Sequence, residues 1–172
     1  MNARVKQTSF RSRRRAMAGL GAVVAIALGV AIVIESRRGL PPTADAGAIV
    51  VYKDAGCRCC TKWVDHLRRA GFSVAVENRS DMAAVKRDLG VPSSLASCHT
   101  AQVDGYVIEG HVPAEDIRAL LARRPDADGL AVPGMPVGSP GMESGSRIDR
   151  YDVLLFASEG DPSVFATHGA QF

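Results

Sequence analysis

Three of the chain's four cysteines, Cys57, Cys59 and Cys60, fall within 56-GCRCCTKW-63, and the fourth, Cys98, follows in 96-ASCHT-100. Cys57 and Cys60 alone have the C-x-x-C spacing of a dithiol redox pair, which leaves Cys59 surplus. Three or four convergent thiolates are also soft ligands, suited to Cu(I), or to zinc when four surround it tetrahedrally. Two structural disulfides would suit an exported domain. That reading fits the spacing poorly, because three thiols in one turn close tiny loops that restrict the unfolded chain little. Metal binding stands first on this spacing, thiol-disulfide exchange second and a disulfide-stapled interaction module third.

The surrounding elements decide where these sulfurs go. The β-branched run 48-AIVVYK-53 reads as a buried strand. From about Cys59 to Ala70 the apolar positions Cys60, Trp63, Val64, Leu67 and Ala70 keep helical spacing, and Gly71 supplies the C-cap. A strand over 72-FSVAVEN-78 follows, then a helix 81-DMAAVKRDL-89 capped by Ser80 and ended by Gly90. The segment 101-AQVDGYVIEG-110 reads as two strands turning at 104-DG-105, and a helix 114-AEDIRALLAR-123 runs from Pro113 to Pro125. One more strand is expected at 151-YDVLLFA-157; no element is assigned to the tail from Gly160 to Phe172.

The order β-α-β-α-β-β-α predicts an α/β fold class, a thioredoxin-like sandwich with the C-x-x-C at the first strand-to-helix junction. The same order places 96-ASCHT-100 in the loop facing that junction, so Cys98 is expected beside the other three. Cys60 shares the helix's apolar stripe and points inward, whereas Cys57 is the exposed thiol at the tip. There backbone N–H groups and the helix dipole favour thiolate, and Arg58 adds positive charge.

Further ligand candidates lie outside the cluster. Met135 and Met142 sit in 133-PGMPVGSPGME-143, too rich in Pro and Gly for helix or strand interior. Thioether sulfur favours Cu(I) over zinc, although methionine also fills core gaps. His99 adjoins Cys98 and is the best nitrogen candidate. His111, in 110-GHVP-113, either approaches the site or caps its turn. His66, two turns along the first helix, is expected at the surface, and His168, near a terminus, in solvent. Trp63 and Met82 read as packing residues. No Ser-His-Asp arrangement, phosphate loop or carboxylate pair stands out.

The net charge of +3 is unevenly divided. Residues 1–38 hold eight Lys/Arg against Glu35 alone, a local +7, which leaves 13 basic and 17 acidic residues, or −4, beyond. The basicity belongs to the leader, so nucleic acid is discounted as a partner. Within that leader 11-RSRRR-15 precedes 16-AMAGLGAVVAIALGVAIVI-34, nineteen residues without a charge. Such a segment is either an uncleaved transmembrane anchor or a signal peptide cleaved after 44-ADA-46. Both readings put the rest of the chain outside the cytoplasm, because six Lys/Arg before the segment outweigh Arg37 and Arg38 after it. The expected organisation is leader 1–38, linker 39–47 and one domain over 48–172, with membrane contact only through the leader.

The motifs C-x-C-C-x-x-W (57–63), 97-SCHT-100, 105-GYVIEGHVP-113 and 133-PGMPVGSPGME-143 occur in order, and together they closely resemble the CopG-like family. These are small exported bacterial proteins associated with copper resistance and long filed as a domain of unknown function. The resemblance covers residues 48–155. It implies a thioredoxin-like fold and a copper site built on Cys57, Cys59, Cys60 and Cys98, with Met135, Met142 and His111 at the family's other motif positions. It further implies a periplasmic protein that sequesters copper or hands it on to other copper-handling proteins. Thiol-disulfide or copper oxidoreductase activity is the alternative.

Overall fold

The computed structural model describes residues 47–169; the leader and most of the linker lie outside them. No helix among the described residues is long and apolar enough to cross a membrane. The first strand, β1 (Ile49–Lys53), buries alternate residues and leads through a tight turn into α1 (Arg58–Arg69). Helix α1 buries Cys60, Trp63, Val64 and Leu67, the expected stripe. Its C-terminus closes as a Schellman motif on Gly71 (φ +90°), with Phe72 N–H donating to Leu67 O and Gly71 N–H to Arg68 O.

Strand β2 (Val74–Asn78) pairs parallel to β1, and α2 (Met82–Asp88) follows. The cap of α2 is Asp81, not Ser80: the Asp81 carboxylate accepts the Ala84 N–H at 2.9 Å. A carboxylate one residue closer reaches the free amide of the first turn, where it also complements the helix dipole. After a single 3-10 turn (Ser93–Leu95), β3 (His99–Val103) and β4 (Tyr106–Glu109) form the expected hairpin. Asp104 and Gly105 both take positive φ, as a type I′ turn requires. Helix α3 (Ala114–Arg123) then crosses back to the sheet.

Three strands complete the molecule: β5 (Gly129–Ala131), β6 (Tyr151–Phe156) and β7 (Ser163–His168). Only β6 was expected. β5 is three residues long, too short for a periodic signal, and β7 lies in the tail to which no element was assigned. The result is a mixed seven-stranded sheet in the order β2-β1-β3-β4-β5-β6-β7.

The sheet carries apolar clusters on both faces. On one, Trp63, Val64 and Leu67 of α1 and Ile117, Leu120 and Leu121 of α3 pack with Val51, Ala101, Ile108 and Leu130. On the other, Val91 and Leu95 cover Val107, Ala131 and Phe156. Neighbours such as Val107 and Ile108 join opposite clusters because strand side chains alternate. Each large apolar side chain removed from water stabilises the fold by about 1.5–3 kcal/mol. The tip of α1 is thereby fixed at the C-terminal end of β1, beside the start of β3.

Candidate metal centre

The tip of α1 is shaped by short-range bonds. Asp54 turns the chain: its carboxylate accepts the Gly56 N–H at 2.7 Å and its carbonyl the Cys57 N–H at 3.1 Å. Lys53, buried at the end of β1, donates its ammonium to the same carbonyl at 2.8 Å. Cys57 is then the N-cap, its sulfur accepting the Cys60 N–H at 3.3 Å. Cys57 and Cys60 are joined as a disulfide, and Cys59 and Cys98 are free. Cys57 is half-buried in that bond, so the expectation of a lone exposed thiol at the tip is replaced by a sulfur pair. The i, i+3 spacing on one turn brings the two within bonding reach.

Cys98 meets this tip from the start of β3. Its sulfur lies 3.5 Å from Cys60 Sγ and 3.8 Å from Cys59 Sγ, while Cys59 Sγ is 3.5 Å from Cys57 Sγ. All four sulfurs fall within 4.8 Å of one another. Burial, followed by the neighbouring Cys59, pushes the Cys98 thiol up to about 12. Its proton is therefore held until something replaces it.

Two imidazoles extend the cluster. His111 Nε2 is 3.1 Å from Cys98 Sγ, and its Nδ1 donates to the Pro140 carbonyl at 2.8 Å. That carbonyl fixes the tautomer and leaves Nε2 as the lone-pair face turned to the sulfur. Burial lowers the His111 pKa, so the ring is neutral near pH 7. His99 Nδ1 sits 3.2 Å from the same sulfur, its ring fully buried between Trp63 and His111. Burial, then His111 and Lys86, holds His99 well below the ordinary histidine range. Its Nε2 is buried without a hydrogen-bond partner among the described residues.

The methionines are placed less tightly. Segment 138–142 folds over the tip of α1: a Cβ on Gly141 (φ +88°) would stand 2.8 Å from Cys59 O and 2.9 Å from Trp63 N. Only glycine permits both that φ and that approach. Met142, next in the chain, is half-buried, whereas Met135 is 52% exposed on the same Pro/Gly-rich segment. The other two histidines depart from expectation. His66 is half-buried and its Nε2 accepts the Ala114 N–H at 3.1 Å, capping α3, whose Pro113 has no side-chain donor or acceptor to do so. His168 is bound to Asp116 at 2.7 Å and stacked on Tyr151, because β7, unseen in the sequence, carries it against α3.

Two solved structures of a copper resistance protein, copG, in its forms 1 and 2, are each 52% identical to this chain with a TM-score of 0.68. They match over 71% and 72% of the chain for forms 2 and 1, and over 98% of their own lengths. The chain belongs to the CopG-like copper-resistance family. A family model described as a protein of unknown function, DUF411, matches residues 95–142. No curated protein matches the sequence. The DUF411 match contains Cys98, His99, His111, Met135 and Met142 of this CopG-like chain and begins after the α1 tip. The other three cysteines are thus joined to that motif set by the fold.

The donor set suits a soft metal ion. Sulfur in this number with neutral imidazole matches Cu(I) or zinc far better than a hard cation. In the disulfide form the free donors are Cys59, Cys98, His99 and His111. Two-electron reduction of the Cys57–Cys60 bond restores four thiols to the same space. Sequence reasoning did not find Glu109 and Lys86, which lie behind Cys98; nothing in their local spacing marks them as partners.

Proposed function

We propose that this chain is an exported copper-binding protein that holds Cu(I) as cargo on Cys57, Cys59, Cys60 and Cys98 and sequesters it or passes it on. The observation that carries the reading is the meeting of four sulfurs within 4.8 Å. It is supported by the 52% identity to a copper resistance protein. His111 completes the donor set on the β4–α3 side, with Met142 and Met135 as outer thioethers on the loop over the tip. Copper is preferred to zinc because thioether and crowded thiolate are soft donors. The order of the first seven elements supports a thioredoxin-like core, to which β5–β7 are added. The leader 1–38 exports the domain at 48–172 to the periplasm, where it is anchored by residues 16–34 or released, and other periplasmic copper-handling proteins are its donors and acceptors.

The test is an anaerobic Cu(I) titration of the reduced full chain, with a chromophoric chelator competing and native mass spectrometry counting the metal. Discrete copper adducts that vanish when the four cysteines are replaced are expected. A reduced protein that retains no copper would sink the reading. The Cys57–Cys60 disulfide at a helix tip favours a second reading, a thiol-disulfide oxidoreductase. It requires dithiol turnover by the metal-free protein, with activity retained in Cys59→Ala.

A further inference from the structure

Glu109 has no exposed surface, and its carboxylate does three things at once. Oε1 accepts the Ser97 N–H at 2.6 Å and the Lys86 ammonium at 2.5 Å, while Oε2 accepts the Thr100 hydroxyl at 2.7 Å. Lys86 also donates to Thr100 Oγ1 at 3.0 Å. Ser97 and Thr100 bracket Cys98 and His99 in the chain. One buried carboxylate, held by one lysine, therefore grips the backbone before Cys98 and the side chain after His99. One further hydrogen bond and one close backbone approach confine Ser97. Its hydroxyl donates to the Gly134 carbonyl at 2.5 Å, and a Cβ on Gly110 (φ +73°) would stand 2.7 Å from its side chain.

Such an arrangement is costly if its purpose is stability alone. A buried ion pair repays its desolvation only when every bond is made, and apolar replacements of similar volume are often as stable or more so. It is well suited to placing a group, because charge-assisted hydrogen bonds to a rigid strand are short and directional. The cluster needs that help. Cys98 stands at the end of a half-buried loop, and its sulfur must stay between Cys59, Cys60 and His111, with His99 Nδ1 at 3.2 Å as its contact close in the chain.

We propose that Glu109, fixed by Lys86, is the positioning residue of the cluster: it holds the Ser97–Thr100 segment so that Cys98 faces the α1 tip. For its affinity readout this inference rests on the copper reading; its thiol readout is independent of metal. In the full chain with Cys59→Ser and the Cys57–Cys60 bond intact, Cys98 is the remaining free thiol. The double variant Lys86→Met/Glu109→Leu keeps the volume and removes the carboxylate. Its Cys98 should be alkylated by iodoacetamide about tenfold faster, through local opening of the loop, at temperatures well below unfolding. Glu109→Gln, which still offers an oxygen to the Ser97 N–H, should fall between the double variant and the parent.

With the four cysteines present and reduced, the double variant should lose about tenfold or more in Cu(I) affinity. A merely structural pair would shift the melting temperature and leave both readouts alone. Should the double variant fail to fold, Thr100→Val, which deletes the hydroxyl's bonds to both Glu109 and Lys86, must still accelerate alkylation. Unchanged Cys98 reactivity in every folded variant overturns the proposal. A parent protein that binds no Cu(I) overturns the copper reading instead, and the alkylation rates still decide the role of Glu109.

Discussion

The two sides of the sulfur cluster are held by opposite means. The tip of α1 is shaped by Asp54, Cys57 and Cys60, whose bonds span two or three residues. The loop that presents Cys98 depends on Glu109, twelve residues from Ser97, on Gly134, thirty-seven away, and on His111, thirteen from Cys98 itself. The tip can form wherever a strand turns into a helix. The facing loop exists only once β3, β4 and β5 are paired. Three sulfurs are thus arranged locally, and the fourth, which turns a redox pair with a spare thiol into a four-sulfur cluster, is arranged by the sheet.

The comparison is tested most strongly by removing one sulfur from each side. Cys60→Ser and Cys98→Ser should each cost more Cu(I) affinity than the 10–100-fold typical of an outer partner, about two decades or more, in chelator competition. His66→Ala should leave it unchanged, since that ring caps α3. Equal losses in all three would move the site away from the α1 tip.

A smaller effect is expected where segment 138–142 touches the tip. Gly141→Ala places a methyl against Cys59 O and Trp63 N at φ +88°, and should destabilise by about 1–3 kcal/mol in urea denaturation. An unchanged midpoint would mean that the loop over α1 is not closely packed.

Acid should act next, through two histidines on the loop side and one on α1. Burial lowers the pKa of His66, His99 and His111 in the folded protein. Below about pH 6.5 the unfolded chain binds protons that the folded chain refuses, so stability present above that pH is lost as it falls. The metal-free melting temperature should therefore drop between pH 7.5 and 5.5. Copper affinity should fall over the same range, because metal must displace protons from thiols such as Cys98. A flat melting temperature would contradict the buried, neutral imidazoles.

The smallest effect belongs to the tip. Asp54→Ala deletes one exposed hydrogen bond and should cost no more than about 0.5–1.5 kcal/mol, read from the urea midpoint. A larger loss would show that the tip, too, depends on distant contacts.

How much was legible follows the same division. The stripe Cys60, Trp63, Val64 and Leu67 announced α1 because a buried helix face repeats every three to four residues, and Gly71 and Gly90 marked helix ends because each must take positive φ. Asp104-Gly105 announced the hairpin for the same reason. The Ser80 cap was misplaced by one residue because Ser and Asp both fit that role. β5 was missed since three residues carry no period.

By itself, then, the sequence determined the order of the first seven elements, the family motifs and the crowding of three cysteines at a strand-to-helix junction. Periodicity, capping and turn preferences act over a few residues and need no knowledge of the rest. The element order had already set Cys98 beside the tip; only the tertiary structure decided that His111 turns to that sulfur rather than capping its own turn, that His66 is a helix cap and His168 a hydrogen-bond partner of Asp116, and that Glu109 stands behind Cys98. Those meetings depend on strand pairing between residues far apart in the chain, and their energy comes from burial and from polar groups finding partners away from water, which no local pattern records.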